Sequence, residues 1–397
     1  MALKNICPPD HCTGCMACTG TCAHEAITII RDSLGFSYPM IDLDKCTGCG
    51  LCEMTCPENR PRQLSLPKEC YAAAMSDQTE LLSCASGGVA TALSVATIKT
   101  GGAVVGCSGS DFPVAKHIIV ETLDGLDLLK GSKYVQSTIT PEIYKRVREI
   151  LRSGRQVLFT GTGCQIAGIQ NFLRKDYPNL VTVDLVCHGV PSQQMLADNL
   201  ALYPRIDSAT VAFRKKTPES NDKVIRFGLN AQRSTRIGGK RKPMFVNWYK
   251  DPYLGAFMAC VNFRTGCYNC RYARPERQSD ITICDFWGLG KDSTLKHSAG
   301  VSAALINTQK GKALFDAAAS MLSIEQRTVD EAVKGNGQLQ RPSQRPPQRE
   351  QFIEIYEKSG IKKAYRKTVY KSMLKKHYKE LALPVLYPIY RRIKKMI

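Results

Sequence analysis

The chain has 397 residues, 43% of them apolar and 23% charged, and a formal charge of +20. That length excludes a single small core and points to two or three packed units, and no window nears the ~20 uninterrupted apolar residues of a membrane-spanning helix. The opening MALKNICPPD lacks the apolar stretch of an export signal, so the eighteen cysteines predict a reducing cytoplasm where thiolates stay free for metal.

The earliest elements are two cysteine runs. The first is Cys12-x2-Cys15-x2-Cys18-x3-Cys22, and the second Cys46-x2-Cys49-x2-Cys52-x3-Cys56-Pro57. This is the spacing of bacterial two-cluster ferredoxins, in which three cysteines of a tight turn reach one cube and the fourth reaches the other. Cys12, Cys15, Cys18 and Cys56 are therefore assigned to one 4Fe-4S cluster, and Cys22, Cys46, Cys49 and Cys52 to a second. Gly14, Gly48 and Gly50 supply the unusual backbone angles that wrapping a cluster requires. A disulfide scaffold would not need the duplicated spacing, and zinc sites usually take two C-x2-C pairs. Ala23 stands where proline commonly follows the first quartet, which leaves the ligands untouched. Between the quartets, Asp32 to Asp42 reads as a short hairpin.

Arg60-Pro-Arg and Pro67 mark a linker. A small-residue helix begins at Gly87 and stops at Gly101-Gly102, followed by strands at Ala103–Cys107 and from His117. Pro141 to Ser153 forms an amphipathic helix with proline in its first turn. Gln156 to Thr160 is a buried strand running into Gly161-Thr-Gly-Cys-Gln, with a helix from Gln165 to Arg174. A strand at Leu180–Val186 and a helix at Ser192–Leu202 continue the alternation, which argues an α/β layer with some parallel pairing. Residues 205 to 250 carry β signals and basic residues, turning at Gly238-Gly239. A strand at Asp280–Cys284, an apolar run from Gly300 and a helix from Gly311 to Leu322 follow. Gly335 to Arg349, rich in proline and glutamine, reads as a loop or strap.

Four of the ten remaining cysteines sit where ligands are built. Cys164 and Cys187 follow strands, and Cys267-x2-Cys270 supplies a chelating pair. A third 4Fe-4S cluster, a zinc site, and unligated core thiols all fit these four. The ordered motifs Ser86-Gly-Gly, Gly131-Ser-Lys-Tyr-Val-Gln-Ser, Gly161-Thr-Gly-Cys-Gln, Val186-Cys-His-Gly-Val-Pro-Ser, Cys267-Tyr-Asn-Cys and Ser279-Asp-Ile-Thr-Ile-Cys-Asp-Phe-Trp-Gly then carry a family likeness. Over residues 5 to 325 the chain resembles the beta subunit family of coenzyme F-420 hydrogenase/dehydrogenase, preceded by a ferredoxin module. The family in turn is similar to ferredoxin-dependent enzymes that reduce chlorophyll precursors.

The resemblance implies an FAD-binding iron–sulfur protein, and it makes Cys164, Cys187, Cys267 and Cys270 ligands of a third cluster. Gly163 stands where the family often has proline, and Cys284 where it often has glycine. Clusters move single electrons and a flavin can deliver a pair, so FAD is the expected converter. No G-x-G-x-x-G fingerprint opens a helix after a strand, so FAD rests on the resemblance. Ser86, Gly87, Gly88, Ser132 and Lys133 are the candidate contacts. His188 is a candidate proton donor, with a satisfied partner of the cluster as its structural reading. Asp285 is a second candidate acid, with packing beneath the site as its alternative.

The expected fold is α+β / α/β: a bacterial ferredoxin-like domain at 1–62, then an α/β flavin-binding body with a mixed sheet. The body divides into 66–155 and 156–334, with the Pro/Gln strap and basic tail at 335–397. From Lys358 onward 13 lysines and arginines face one acidic residue, Glu380. That tail reads as a solvated helix, as an anchor on an anionic membrane surface, or as a dock for an acidic carrier such as ferredoxin. Nucleic acid is excluded, since no recognition module accompanies the charge. The expected function is electron transfer from a ferredoxin-type carrier through clusters and FAD to an organic two-electron acceptor. The alternatives are a non-catalytic wiring subunit and a redox-sensing surface partner.

Overall fold

The computed structural model describes residues 3–216, 225–235, 239–295 and 299–379. At its N-terminus lie strand β1 (Leu3–Asn5), helix α1 (Ala17–Thr21), strands β2 (Ile27–Arg31) and β3 (Ser37–Asp42), and helix α2 (Leu51–Thr55). The strands pair antiparallel in the order β1-β3-β2. The hairpin expected between the quartets is β2–β3, and Asp32 makes its turn by accepting from the amides of Leu34 (3.0 Å) and Phe36 (2.8 Å). The unit's apolar core is Ile6, Cys18 and Ile41, with Ile27, Cys46, Cys52 and Cys56 against them. So little carbon cannot offset the entropy of ordering this segment. Most of the interior is thiol.

The body is built on an eight-stranded sheet. Its elements are β4 (Glu69–Met75), α3 (Gln78–Ser83), α4 (Val89–Lys99), β5 (Ala103–Asp111), β6 (Val114–Val120), α5 (Pro141–Arg152), β7 (Val157–Thr162), α6 (Gly163–Leu173) and β8 (Leu180–Leu185). After α7 (Gln193–Leu200) comes a separate meander of β9 (Ile206–Lys216), β10 (Ile225–Ser234) and β11 (Arg241–Asn247), then α8 (Pro252–Met258). Strands β12 (Ile281–Asp285) and β13 (Ser302–Ile306), helix α9 (Gln309–Ala318) and strand β14 (Leu322–Arg327) complete the sheet, before α10 (Val329–Gly335) and α11 (Arg349–Thr368).

The strand order is β14-β4-β13-β12-β8-β7-β5-β6. β12, β8, β7 and β5 run parallel at the centre, and the strands outside them are antiparallel. The sheet is mixed, as expected. Alternation along the buried strands feeds two cores. Val104 and Leu158 face Leu93 of α4 and Leu314 of α9, while Val105 and Phe159 face Tyr144 and Val147 of α5 and Ile166 of α6. Two sheet strands escape the sequence reading. The Ala72–Ala74 run of β4 has a helix-former's composition, yet it is fully buried between β13 and β14, where small side chains let helices pack close. β14 begins at Leu322, where the expected helix from Gly311 ends, and residues 323–327 carry no expected element.

The third core joins α7, α8, the meander and α11 around Phe213, Tyr253, Leu254, Phe352 and Tyr365. Here the expected strap and tail pack more closely than a loose loop. Leu339 and Arg349 are buried, and α11 kinks at Gly360, whose φ is +77°. The apolar stripe of the tail faces inward, with Tyr365 and Val369 buried and Tyr378 exposed. The apolar segment 381–390 and basic end 391–397, and the Gly238 half of the expected turn, lie outside the described residues. Among the described residues no helix is long and apolar enough to cross a membrane.

Candidate functional site

The two ferredoxin-type quartets separate in space as the crossed assignment requires. One pocket is lined by Cys7, Cys12, Cys15, Cys18 and Cys56. The other is lined by Cys22, Cys46, Cys49 and Cys52. Cys22 and Cys56, the last residue of each run, have changed places. The cause is local: each run turns through left-handed residues (Gly14 and Met16, Gly48 and Gly50) and then enters a short helix that carries its last cysteine away. The first pocket holds a fifth thiol that the spacing does not reveal. Cys7 lies against both Cys12 and Cys56, and hydrogen bonding from it lowers the Cys12 thiol to about 6 and Cys56 to about 7.

The third set also assembles. Cys164 sits in the first turn of α6, which starts two residues earlier than expected because Thr162 and Gln165 form a capping box. Cys187 follows β8, and Cys267 and Cys270 lie in and after the short helical turn Thr265–Asn269. Burial is the first cause that raises each thiol: Cys164 to about 11, Cys187 to about 12, and Cys267 and Cys270 in the same direction. Cys187 and Cys267 each feel the charge of Cys164 and Cys270. Such thiols ionise only when a cation offsets the burial. Among the described residues, no three His, Cys, Asp or Glu side chains converge closely enough for one metal ion. The thiols of the first two sets line pockets instead. None of the eighteen cysteines forms a disulfide.

The first and third sets are neighbours. A Cβ on Gly168 of α6 would stand 3.2 Å from Cys15 Sγ, so glycine there lets the helix carrying Cys164 lie against the first pocket. Cys164 faces the hydroxyls of Thr162 (3.1 Å) and Thr13, and Tyr272 lines the first pocket while feeling Cys164, Cys15 and Cys270. Gly163 leaves room for that ring, since a Cβ would stand 2.7 Å from Tyr272. The second pocket is peripheral, with Cys49 exposed. Tyr144 Oη donates to Cys15 O (2.6 Å) and Asn171 Nδ2 to Arg60 O (2.8 Å), which ties the N-terminal unit to α5 and α6.

Comparison with known proteins adds to this geometry. Residues 154–332 match the family model for the carboxy-terminal part of the coenzyme F-420 hydrogenase/dehydrogenase beta subunit, and residues 11–59 match a 4Fe-4S dicluster domain. Residues 154–332 therefore resemble this family's carboxy-terminal part, behind a dicluster domain. A solved structure of the F-420-reducing NiFe hydrogenase complex from Methanosarcina barkeri aligns with 77% of this chain and 92% of its own at 19% identity and a TM-score of 0.45. No curated protein matches.

The remaining candidates gather near the carboxyl end of β12, around residues that no motif announces. Arg214 of β9 grips both oxygens of Asp285 (3.0 and 2.6 Å), reaches Ala85 O (3.4 Å) and lies over the Tyr134 ring. Lys216 Nζ donates to Ser86 O (2.6 Å) and Leu81 O (2.7 Å). Arg214 therefore joins the segment before Ser86 to Tyr134, beside Ser132 and Lys133, while Lys216 holds the Ser86 end. Ser86 Oγ donates to Val301 O (3.3 Å). Gly87 is demanded by packing, since a Cβ would strike Ala73 O and Ser302 N, and Gly88 caps α4 at φ +86°. Lys133 points inward, donating to Leu129 O (2.7 Å) and Lys130 O (2.6 Å), with its ammonium lowered to about 8 by burial. Asp285 is thus a bridge between β12 and β9.

His188 packs against the rings of Phe257 and Phe263. Its Nε2 lies 3.3 Å from Cys260 Sγ and its Nδ1 2.8 Å from Gln338 Nε2, and burial lowers the ring to about 4. A neutral ring with both nitrogens occupied has no free proton to give. Its second partner comes from the strap, which also holds His188 O through Ser343 Oγ (2.7 Å).

Proposed function

We propose that the chain is a cytoplasmic iron–sulfur flavoprotein that carries electrons from a ferredoxin-type carrier to an organic two-electron acceptor. The observation that carries this reading is the adjacency of the first and third cysteine sets, with the second set apart from them and near the surface. The exposed second set is the port, the first set relays, and the third lies beside the family's body. Electrons would pass between centres whose ligand loops touch through Thr13, Gly168 and Tyr272.

FAD is the group that would turn single electrons into a pair. Backbone amides at the start of the eleven-residue helix α4 suit its anionic pyrophosphate. Arg214 is already engaged by Asp285, and Lys133 by its own loop, so they shape the loop walls. The two neighbours of the His188 ring, Cys260 and Gln338, favour its reading as a positioning residue over that of proton donor.

The ligand sets are tested by iron content after anaerobic reconstitution. Cys22→Ser and Cys46→Ser should each remove the same cluster, and Cys18→Ser and Cys56→Ser the other, at a cost of about four irons apiece. Separate spectroscopic signatures for Cys22→Ser and Cys46→Ser would refute the crossed assignment. A second reading, a wiring subunit that turns over only within a complex, is favoured by the family's description as a beta subunit. Turnover by the isolated chain with reduced ferredoxin separates the two.

A further inference from the structure

Arg264 is fully buried, and its guanidinium touches no carboxylate. Nε donates to Cys12 O (2.6 Å), Nη1 and Nη2 both to Ser37 O (3.1 Å), Nη1 to Gln136 Oε1 (3.3 Å), and Nη2 to Cys12 Sγ (3.4 Å). Its flat face lies 4.1 Å from the centre of the Tyr38 ring. Of these acceptors only the sulfur belongs to a group that can carry a negative charge. The other arginines near the sites are treated differently: Arg277 is paired with Asp184, and Arg214 with Asp285. Arg349, the other buried arginine without a carboxylate, bonds to Val261 and Thr265 and to no cysteine.

A guanidinium cannot shed its proton and is costly to bury without a counter-charge. The nearest group able to supply one is the first cysteine pocket. We infer that Arg264 is the built-in counter-cation of the cluster held by Cys12, Cys15, Cys18 and Cys56, and that its charge raises that cluster's reduction potential above that of the exposed second cluster. The inference rests on the cluster assignment above. Its physical basis is that a fixed positive charge in a dry site favours the more negative, reduced state. Five hydrogen bonds from three elements fix that charge in place. Because Arg264 stands three residues before Cys267, the same side chain also ties the first set to the loop of the third.

The test is a potentiometric titration, followed by electron paramagnetic resonance, of the reconstituted full chain and its Arg264→Lys and Arg264→Gln variants. Arg264→Gln should weaken one cluster's reduction at least tenfold, which is 59 mV for a one-electron couple, with the other clusters within twofold. Arg264→Lys keeps the charge and should stay within threefold of the parent. The shift should persist in a Cys187→Ser/Cys267→Ser background that lacks the third cluster. If Arg264→Gln fails to load the first cluster while Arg264→Lys loads it, the counter-charge role also stands. Potentials unmoved beyond threefold, equal shifts in both variants, equal loss of iron in both, or a shift that vanishes with the third cluster would each overturn it. Failure of Cys56→Ser to lose iron would instead refute the cluster assignment itself.

Discussion

Burial sets the protonation of individual side chains. His117 of β6 is one whose charge the fold suppresses. Its Nε2 bonds to Thr160 O (3.1 Å), its Nδ1 has no partner, and its ring stacks on Phe159. Burial first, and Lys133 second, hold it down to about 4. An unfolded histidine titrates near ~6.5, so below that pH the unfolded chain binds the extra proton. Stability should fall from pH ~6.5 toward pH 4 by on the order of 1–3 kcal/mol, with no such slope above ~6.5. His117→Phe keeps the stacking and removes the titration. Denaturation curves at several pH values should show a flatter profile for the variant, and parallel profiles would count against this account.

The grouping of the eight ferredoxin-type cysteines was legible because their spacing is local: a turn, a glycine and a short helix set where each thiol goes. Arg264, Lys216 and Cys7 were not. A lone arginine in a sequence is read as surface, since arginines are rarely buried, and only the fold reveals which one lies inside. His188 was legible as an exception, through its place beside Cys187, but its partner Gln338 lies 150 residues away.

At the scale of elements, the strands and helices with strong periodicity fell where expected, and the failures have one cause. β4 and β14 are strands by virtue of their place in the sheet and not their composition. The tail was read as an amphipathic helix, and the helix is present, but its apolar side serves the third core. That contact depends on one glycine. A Cβ on Gly255 of α8 would collide with the Tyr365 ring, whose hydroxyl donates to Tyr249 O (2.8 Å). Gly255→Val should therefore lift α11 from α8 and cost ~1–3 kcal/mol through overpacking. The expected readout is a lower urea midpoint together with faster proteolysis after residue 360. An unchanged midpoint would show that the tail contributes nothing to the core.

For the whole molecule, the arrangement of charge and thiol makes sense only with metal in place. The N-terminal unit has almost no apolar core of its own, and the thiols of the third set are buried beyond the point where they would ionise unaided. Chelating the iron should consequently unfold the N-terminal unit well before the sheet, with loss of the β1–β3 amide protection and retention of that of β7 and β8. The parallel strands β7, β8 and β12 place the third set and the Ser86–Asp285 region at their carboxyl ends, so one sheet presents both cluster and cofactor candidates. The strap and α11 then close over the loop holding Cys267 and Cys270.

The central claim is three clusters and a flavin on one chain. Anaerobic reconstitution followed by quantification of iron, sulfide and flavin tests it most directly. The account predicts about twelve irons with matching sulfide and one FAD per chain. About eight irons that do not rise on further reconstitution, or no flavin retained when FAD is supplied, would contradict it.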